Sequence, residues 1–366
     1  MPAQPADDGL NQMLEPGSTI GILGTGQLGR MLAAAAAKLG FRVETYGPEI
    51  SPPAAQLANE HHAADYTDIE SLRAFAHRID AATFEFENIP PETVRTLIEE
   101  GVPVRPDERI LAVCQDRVPE KKFLREHGFA TAPFADIQTA EDLEKAVAEI
   151  GPEGILKTRR FGYDGKGQVR IRPGMDLGAA FAELNAPSIY EGLVEFDAEV
   201  SLIAARSVSG DIRFFDMPHN DHSGGILRIS TVPANLPIEA EEAKSSVCHL
   251  LEALDYVGVM TVEFFWSKSR GLIANEIAPR VHNSGHWTHE ACAVSQFEQH
   301  IRAVAGWPLG DPVRHSDAVM ANLIGMDAEE WAMLAEDPAL AITLYGKSEA
   351  RAGRKMGHTV KIFPKS

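Results

Sequence analysis

Apolar residues in the first hundred positions come in short bursts. Thr19–Leu23, Phe41–Tyr46 and Ala82–Phe86 are rich in β-branched, aromatic and small apolar residues, and each is too short for a helix. They predict buried strands. Helical patterning fills the gaps: an Ala-rich helix running to about Lys38, then helices over 55–63, 69–79 and 91–100, with a short strand at Val102–Arg105. Strands and helices alternate over residues 19–115, which predicts a doubly wound α/β domain.

The pattern then changes. Ile155–Lys157, Ser188–Val194, Glu199–Arg206 and Gly210–Phe215 read as strands, the last three as a meander, and His219–His222 as a polar turn. A helix over 238–255 leads into a hairpin of Val257–Trp266 and Leu272–Ile277, and a helix over Glu290–Val304 follows. With a hairpin loop of Lys268–Gly271, Glu263 stands opposite Glu276 on one face. Strict alternation turns Asn275 to the other face, so the strand must bend or end there for both to touch one ligand. The fold class is α/β, with an α+β second part.

Composition narrows the partners. Lys and Arg number 34 against 53 Asp and Glu, a net charge of -19, so a nucleic-acid polymer is an unsuitable partner. Apolar content is 44%, and no apolar run is long enough to span a bilayer, so no membrane partner is expected. Cys114, Cys248 and Cys292 form neither a metal motif nor a disulfide framework, which points to a reducing cytoplasm. Residues 1–18 are polar and acidic, carry no signal-peptide pattern, and are expected to be a disordered tail.

The chemistry gathers in a few places. Two opposed glutamates repel unless a cation lies between them, and Mg²⁺ shared with phosphate oxygens suits Glu263 and Glu276. The following loop, Arg280 to Trp287, is dense in anion-binding donors, and together the two features suggest phosphoryl transfer from a nucleotide. Lys157 ends a strand before a glycine loop running from Gly162 to Gln168, which suits closure over phosphates. Gly24-Thr25-Gly26-Gln27-Leu28-Gly29 fits GxGxxG, but Tyr46 stands where a ribose-binding acid would end the second strand; the turn serves either packing or a phosphate. Glu85, Glu87 and Asn88 line a ligand crevice or a solvated loop. His222, with His219, favours hydrogen bonding over metal. Lys347, Arg351, Arg354, Lys355 and His358 form a basic cluster suited to a monophosphate.

Lys121, Lys157 before the glycine loop, Glu191, Glu199, and the Glu263/Glu276 hairpin together resemble the ATP-grasp superfamily. The strings GQLGRM, FEFEN, FGYDGKGQ, HNDHSGGILR, NEIAPRVHNSGHWT and GRKMGH are similar to one of its families, the N5-carboxyaminoimidazole ribonucleotide synthetases, from about residue 19 onward. That resemblance implies a Rossmann-like preATP-grasp domain over 19–115, an ATP-grasp domain over 116–312 and a C-terminal subdomain over 313–366. It implies carboxylation of aminoimidazole ribonucleotide (AIR) by bicarbonate with ATP and Mg²⁺, in a cytoplasmic homodimer. ATP contacts would be Arg117, Lys121, Lys157, Gly162, Tyr163, Asp164, Gly165, Lys166, Gly167, Gln168, the hinge Glu191, Gly192, Leu193 and Val194, then Glu199, His222, Asn275 and Glu276. Glu263 and Glu276 would hold the metal, and Arg280, His282 and Asn283 the bicarbonate. AIR would meet Gly26, Gln27, Leu28, Tyr163, Asp164, Arg354 and Lys347, the last also counted with the catalytic group. Two departures stand out: Ala278 replaces the usual second metal-ligand position, and Ala352 replaces a proline before GRK. The alternatives are another ATP-grasp ribonucleotide ligase or a formate-dependent formyltransferase, an NAD(P) oxidoreductase, and a non-catalytic nucleotide sensor.

Overall fold

The computed structural model of the chain describes residues 13–162 and 165–366. Within them the chain forms three sheets. The first holds β1 (Thr19–Leu23), β2 (Arg42–Gly47), β3 (Glu60–Ala63) and β4 (Ala81–Phe84), all parallel, in the order β3-β2-β1-β4. Helices α1 (Gln27–Lys38), α2 (Ile69–Ala76) and α3 (Pro91–Glu99) connect or follow these strands. β1, inside the sheet, and β4, at its end, are both buried along their whole length, as strands covered on both faces are.

The helix expected over 55–63 is instead a single 3-10 turn, Ala54–Gln56, followed by edge strand β3. Backbone pairing of β3 with β2, reinforced by the Val43 N–H donating to Asn59 Oδ1 at 2.8 Å, outweighs the helix preference of the alanines. Val102–Arg105 makes only an isolated bridge, Ala82 to Val104. Residues 1–12 lie outside the described part. From residue 13 the tail is docked: Leu14 O accepts from Trp307 Nε1 at 2.7 Å.

Helices α4 (Glu108–Cys114) and α5 (Arg117–Glu126) lead out of this layer, α5 capped by Asp116 accepting from the Val118 N–H. The second sheet, β5 (Phe134–Ile137), β6 (Gly154–Thr158), β7 (Gln168–Ile171) and β8 (Ser188–Gly192), carries α6 (Ala140–Ile150) and α7 (Leu177–Leu184) around its own small core.

The third sheet has nine strands: β9 (Ala198–Arg206), β10 (Ile212–Phe214), β11 (His219–Ser223), β12 (Ile226–Val232), β13 (Gly258–Ser267), β14 (Gly271–Ala278), β15 (Ser316–Ile324), β16 (Leu340–Leu344) and β17 (Lys355–Pro364). β11 corrects the expected polar turn at His219–His222: its backbone pairs with both β9 and β12, so polar side chains sit on a strand. α8 (Ala240–Ala253) precedes β13. The helix expected over Glu290–Val304 splits into α9 (Thr288–Ala291) and α10 (Gln296–Val304), because Cys292 is extended and Ser295 caps a new helix by accepting from the Glu298 N–H. A short helix, α11 (Trp331–Leu334), lies between β15 and β16.

The core runs across these layers. Leu23, Tyr46 and Phe84 of the first sheet share one buried cluster with Val247, Met260 and Phe264. Ile20 and Ile22 share another with Trp287, Phe297, Tyr345 and Val360.

Candidate active site

The hairpin β13–β14 supplies the centre of the site. Its tip pairs Ser267 with Gly271, leaving a three-residue loop, Lys268–Arg270, one shorter than expected. Glu263 nevertheless lies opposite Glu276, because a bulge falls between Glu263 and Phe264, whose partners are Glu276 and Ala274. Asn275 is the extra residue. The bulge gives Asn275 the bend that strict alternation denied it, and both Asn275 and Glu276 line the same cleft.

That cleft encloses about 850 Å³ where the three sheets meet. Of the residues expected there, Gly26, Gln27, Leu28, Arg117, Lys157, Gly162, Gly165, Lys166, Gln168, Glu199 and His222 line it. So do Glu263, Asn275, Glu276, Arg280, His282, Asn283, Lys347 and Arg354. Tyr163 and Asp164 lie outside the described residues. Lys121, Gly167, Glu191, Gly192, Leu193 and Val194 stand behind the wall or beside it. Gly167, at φ +68°, leaves Thr158 no room for a neighbouring Cβ: its Oγ1 would be 2.7 Å away. Leu193 opens on a second, smaller hollow with Phe196 and Arg270.

Several charges inside the cleft are paired. Arg117 Nη1 meets Glu276 at 3.1 Å, and its Nη2 donates to Gly162 O. His282 Nε2 meets Glu263 at 2.8 Å and His222 Nδ1 meets Glu199 at 3.1 Å. Arg280 Nε donates to Glu87 at 2.8 Å. Burial alone would raise the Glu263 and Glu87 carboxyls; the adjacent His282 and Arg280 more than reverse this, and both are held below the usual carboxylate range. Burial pulls the His222 imidazole down, but Glu199 outweighs it and the net direction is up.

Behind the wall, Glu191 lies between Lys157 at 2.6 Å and Lys121 at 3.3 Å, and Lys121 Nζ also donates to the Asn275 carbonyl at 2.6 Å. The two lysines overcome burial and hold Glu191 down at about 2. Glu120 accepts the Ile277 N–H at 2.6 Å; burial, then the neighbouring Glu276, push its carboxyl up.

The GxGxxG turn has already spent its donors. The Gly26 N–H donates to Glu85 Oε1, and the Gly29 N–H to Glu85 Oε2 at 2.5 Å. Gly24 sits at φ +100°, and a Cβ there would lie 2.4 Å from Glu85 Cγ. A buried carboxylate thus occupies the helix terminus where a dinucleotide's pyrophosphate would bind, and the nicotinamide alternative loses its site.

Several residues sharpen or correct the sequence reading. Glu85, Glu87 and Asn88 face the cleft, so the crevice reading holds over the solvated loop. Lys355 joins Lys347 and Arg354 there. His358 does not: it is buried, its Nδ1 bonded to Tyr345 Oη at 2.9 Å, and burial drives its imidazole down to about 3. Arg351 is exposed and pairs with Glu349. His286 and His289 pack against Phe297, apart from His282's role in the cleft. Gln115 and Glu120 line the cleft without having been singled out; a polar residue on the apolar face of a short helix was the available signal.

With this geometry in place, similarity to known proteins becomes specific. Residues 17–115 match the ribonucleotide synthetase preATP-grasp domain, 122–297 the ATP-grasp domain, and 318–365 the phosphoribosylaminoimidazole carboxylase C-terminal domain. The N5-carboxyaminoimidazole ribonucleotide synthase of Brucella melitensis is 52% identical over 96% of this chain and 98% of its own length. The chain belongs to the N5-carboxyaminoimidazole ribonucleotide synthase family. The Staphylococcus aureus family structure complexed with ADP superposes at TM-score 0.92, with 37% identity over 96% of this chain and 95% of that one. The Aspergillus clavatus structure, in complex with ADP and 5-aminoimidazole ribonucleotide, superposes at 0.87, with 27% identity over 96% and 95%. The expected α/β architecture of preATP-grasp, ATP-grasp and C-terminal parts is the architecture of this family. Family membership makes the chain an ATP-grasp ligase of purine biosynthesis and sets the formyltransferase alternative aside.

Proposed function

We propose that this cleft carboxylates the exocyclic amine of AIR with bicarbonate, consuming ATP and releasing ADP, phosphate and N5-carboxyaminoimidazole ribonucleotide. A bicarbonate oxygen attacks the γ-phosphorus and ADP leaves, forming carboxyphosphate. The amine then attacks its carbonyl carbon, phosphate departs, and the amine gives up one proton. Binding of ADP and of 5-aminoimidazole ribonucleotide by the Aspergillus clavatus relative supports this pairing of ligands.

In this reading Arg117, Lys157, Glu199, His222, Asn275, Glu276 and the loop from Gly162 to Gln168 hold ATP, with Tyr163 and Asp164 among the loop's contacts. Glu191, Gly192, Leu193 and Val194 form its hinge, and Lys121 acts on ATP through Glu191 and the Asn275 carbonyl. Arg280, His282 and Asn283 orient bicarbonate, fixed donors aimed at the developing oxyanion. Gly26, Gln27 and Leu28 face AIR, and Lys347 and Arg354 hold its phosphate. The observation that carries the reading is the single cleft in which the opposed Glu263 and Glu276, the 280–283 donors and the Lys347/Arg354 cations all meet.

The donor set suits Mg²⁺. Glu263 and Glu276 offer hard carboxylate oxygens from adjacent strands, and Ala278 offers none, leaving coordination positions for phosphate oxygens and water. When bound, the ion would neutralise phosphate charge between the two carboxylates. A homodimer in a reducing cytoplasm completes the proposal; the family resemblance and three free cysteines support it.

ADP release with Mg-ATP tests the reading, with AIR and bicarbonate added singly and together. Release that requires AIR, with labelled bicarbonate fixed into the ribotide, is the expected result. Release indifferent to AIR would assign the cleft to another acceptor.

A further inference from the structure

Asn283 is held from outside its own loop. Its Nδ2 donates to Asn322 Oδ1 at 2.9 Å, and its Oδ1 accepts from Asn322 Nδ2 at 2.7 Å. Asn322 lies on β15, is buried, and does not reach the cleft. Its Nδ2 makes a third bond, to the carbonyl of Leu227 on β12 at 3.0 Å. That bond sets the direction of the pair. Turned over, Asn322 would bring its own oxygen against the Leu227 carbonyl, so its nitrogen must point as it does. Asn283 must then present its oxygen to Asn322 Nδ2 and its nitrogen to Asn322 Oδ1. One N–H and one oxygen lone pair remain for the cleft, in a fixed orientation.

We propose that Asn322 is a positioning residue for the carboxylating end of the site: it locks the Asn283 amide so that its remaining N–H faces the bicarbonate-derived oxygens. The proposal rests on the role of Asn283 proposed above. A buried strand position flanked in sequence by the buried Met320, Leu323 and Ile324 would be served at lower cost by an apolar side chain, since a buried amide stabilises little beyond its own desolvation. What the amide supplies is direction. The C-terminal segment would thus contribute twice, with Lys347 and Arg354 facing the ribotide and Asn322 behind the donor that faces bicarbonate.

Asn322→Asp keeps the shape of the side chain but removes both N–H bonds. The expected result is a bicarbonate KM raised about tenfold, the scale of one lost hydrogen bond, with the KM values for ATP and AIR within about twofold of wild type. Asn322→Ala removes these two bonds and the acceptor of Asn283 Nδ2 as well, without burying a carboxylate, and covers the case in which N322D does not fold. The double variant N283A/N322A should be no worse than N283A alone, because Asn322 acts through Asn283. A lowered melting temperature with all three KM values unchanged would reduce Asn322 to a structural residue and overturn the proposal. So would losses that add fully in the double variant. If the wild-type chain shows no bicarbonate-dependent turnover, the functional reading falls first and the proposal with it.

Discussion

His300 shows how much one side chain can decide. It is fully buried; Nδ1 accepts the Val259 N–H at 3.0 Å, so its proton sits on Nε2 and is donated to Thr83 at 2.7 Å. One ring thereby ties the first sheet to the third. Burial lowers its pKa to about 4; His289 lies at about 4 and His358 at about 3, again chiefly through burial. Unfolded, each takes a proton near pH 6.5; folded, each resists until well below. Between those values the unfolded chain binds more protons, so stability is complete above pH 6.5 and is lost as pH falls toward 3–4. The expected slope is about 1.4 kcal/mol per pH unit for each histidine. Urea midpoints at pH 7.5 and pH 5 check it, and His300→Gln should flatten the slope by one histidine's share. None of this was legible beforehand. A histidine in a helix pattern reads as a surface residue until burial is known, whereas the donors Arg280, His282 and Asn283 could be read because the density of donors along the eight residues Arg280 to Trp287 is itself unusual.

At the scale of elements the hairpin and the lysine–glutamate brace matter most. The opposition of Glu263 and Glu276 could be inferred from apolar spacing, but by the wrong route: a four-residue loop stood in for a three-residue loop plus one bulged residue. The count of residues between the glutamates is the same either way, so periodicity cannot separate the two, and only the ladder of hydrogen bonds does. The brace joins α5 through Lys121, β6 through Lys157 and β8 through Glu191. Its two ammonium groups share one carboxylate in a nearly dry place. Glu191→Gln should leave them without a counter-charge and lower unfolding free energy by about 3–5 kcal/mol. Urea denaturation measures this, and a loss under about 1 kcal/mol would mean that water screens the lysines.

For the whole molecule, the segment beyond residue 315 is a working part of the large sheet. β12 pairs with β15, β15 with β17 and β17 with β16, so the sheet runs on from the strands before residue 313 into the C-terminal segment. Ending the chain at residue 314 would expose the edge of β12 and remove Met320, Tyr345 and Val360 from a core they share with the first sheet. Such a truncation is expected to be insoluble; a soluble fragment that melts cooperatively would show the remaining strands to be self-sufficient.

By itself the sequence determined strands β1, β2 and β4 with helices α1, α2 and α3, though not strand β3, together with the two-carboxylate hairpin and the family. These depend on local periodicity and on contiguous strings. The tertiary structure alone decided that Glu85 fills the glycine turn, that β11 is a strand rather than a turn, that His358 serves the core, and that Asn322 stands behind Asn283. Each of these rests on a contact between residues 13 to 59 positions apart, for β11 its pairing with β9. Burial and hydrogen-bond pairing at that distance belong to the packed chain, and no local pattern of residue types encodes them.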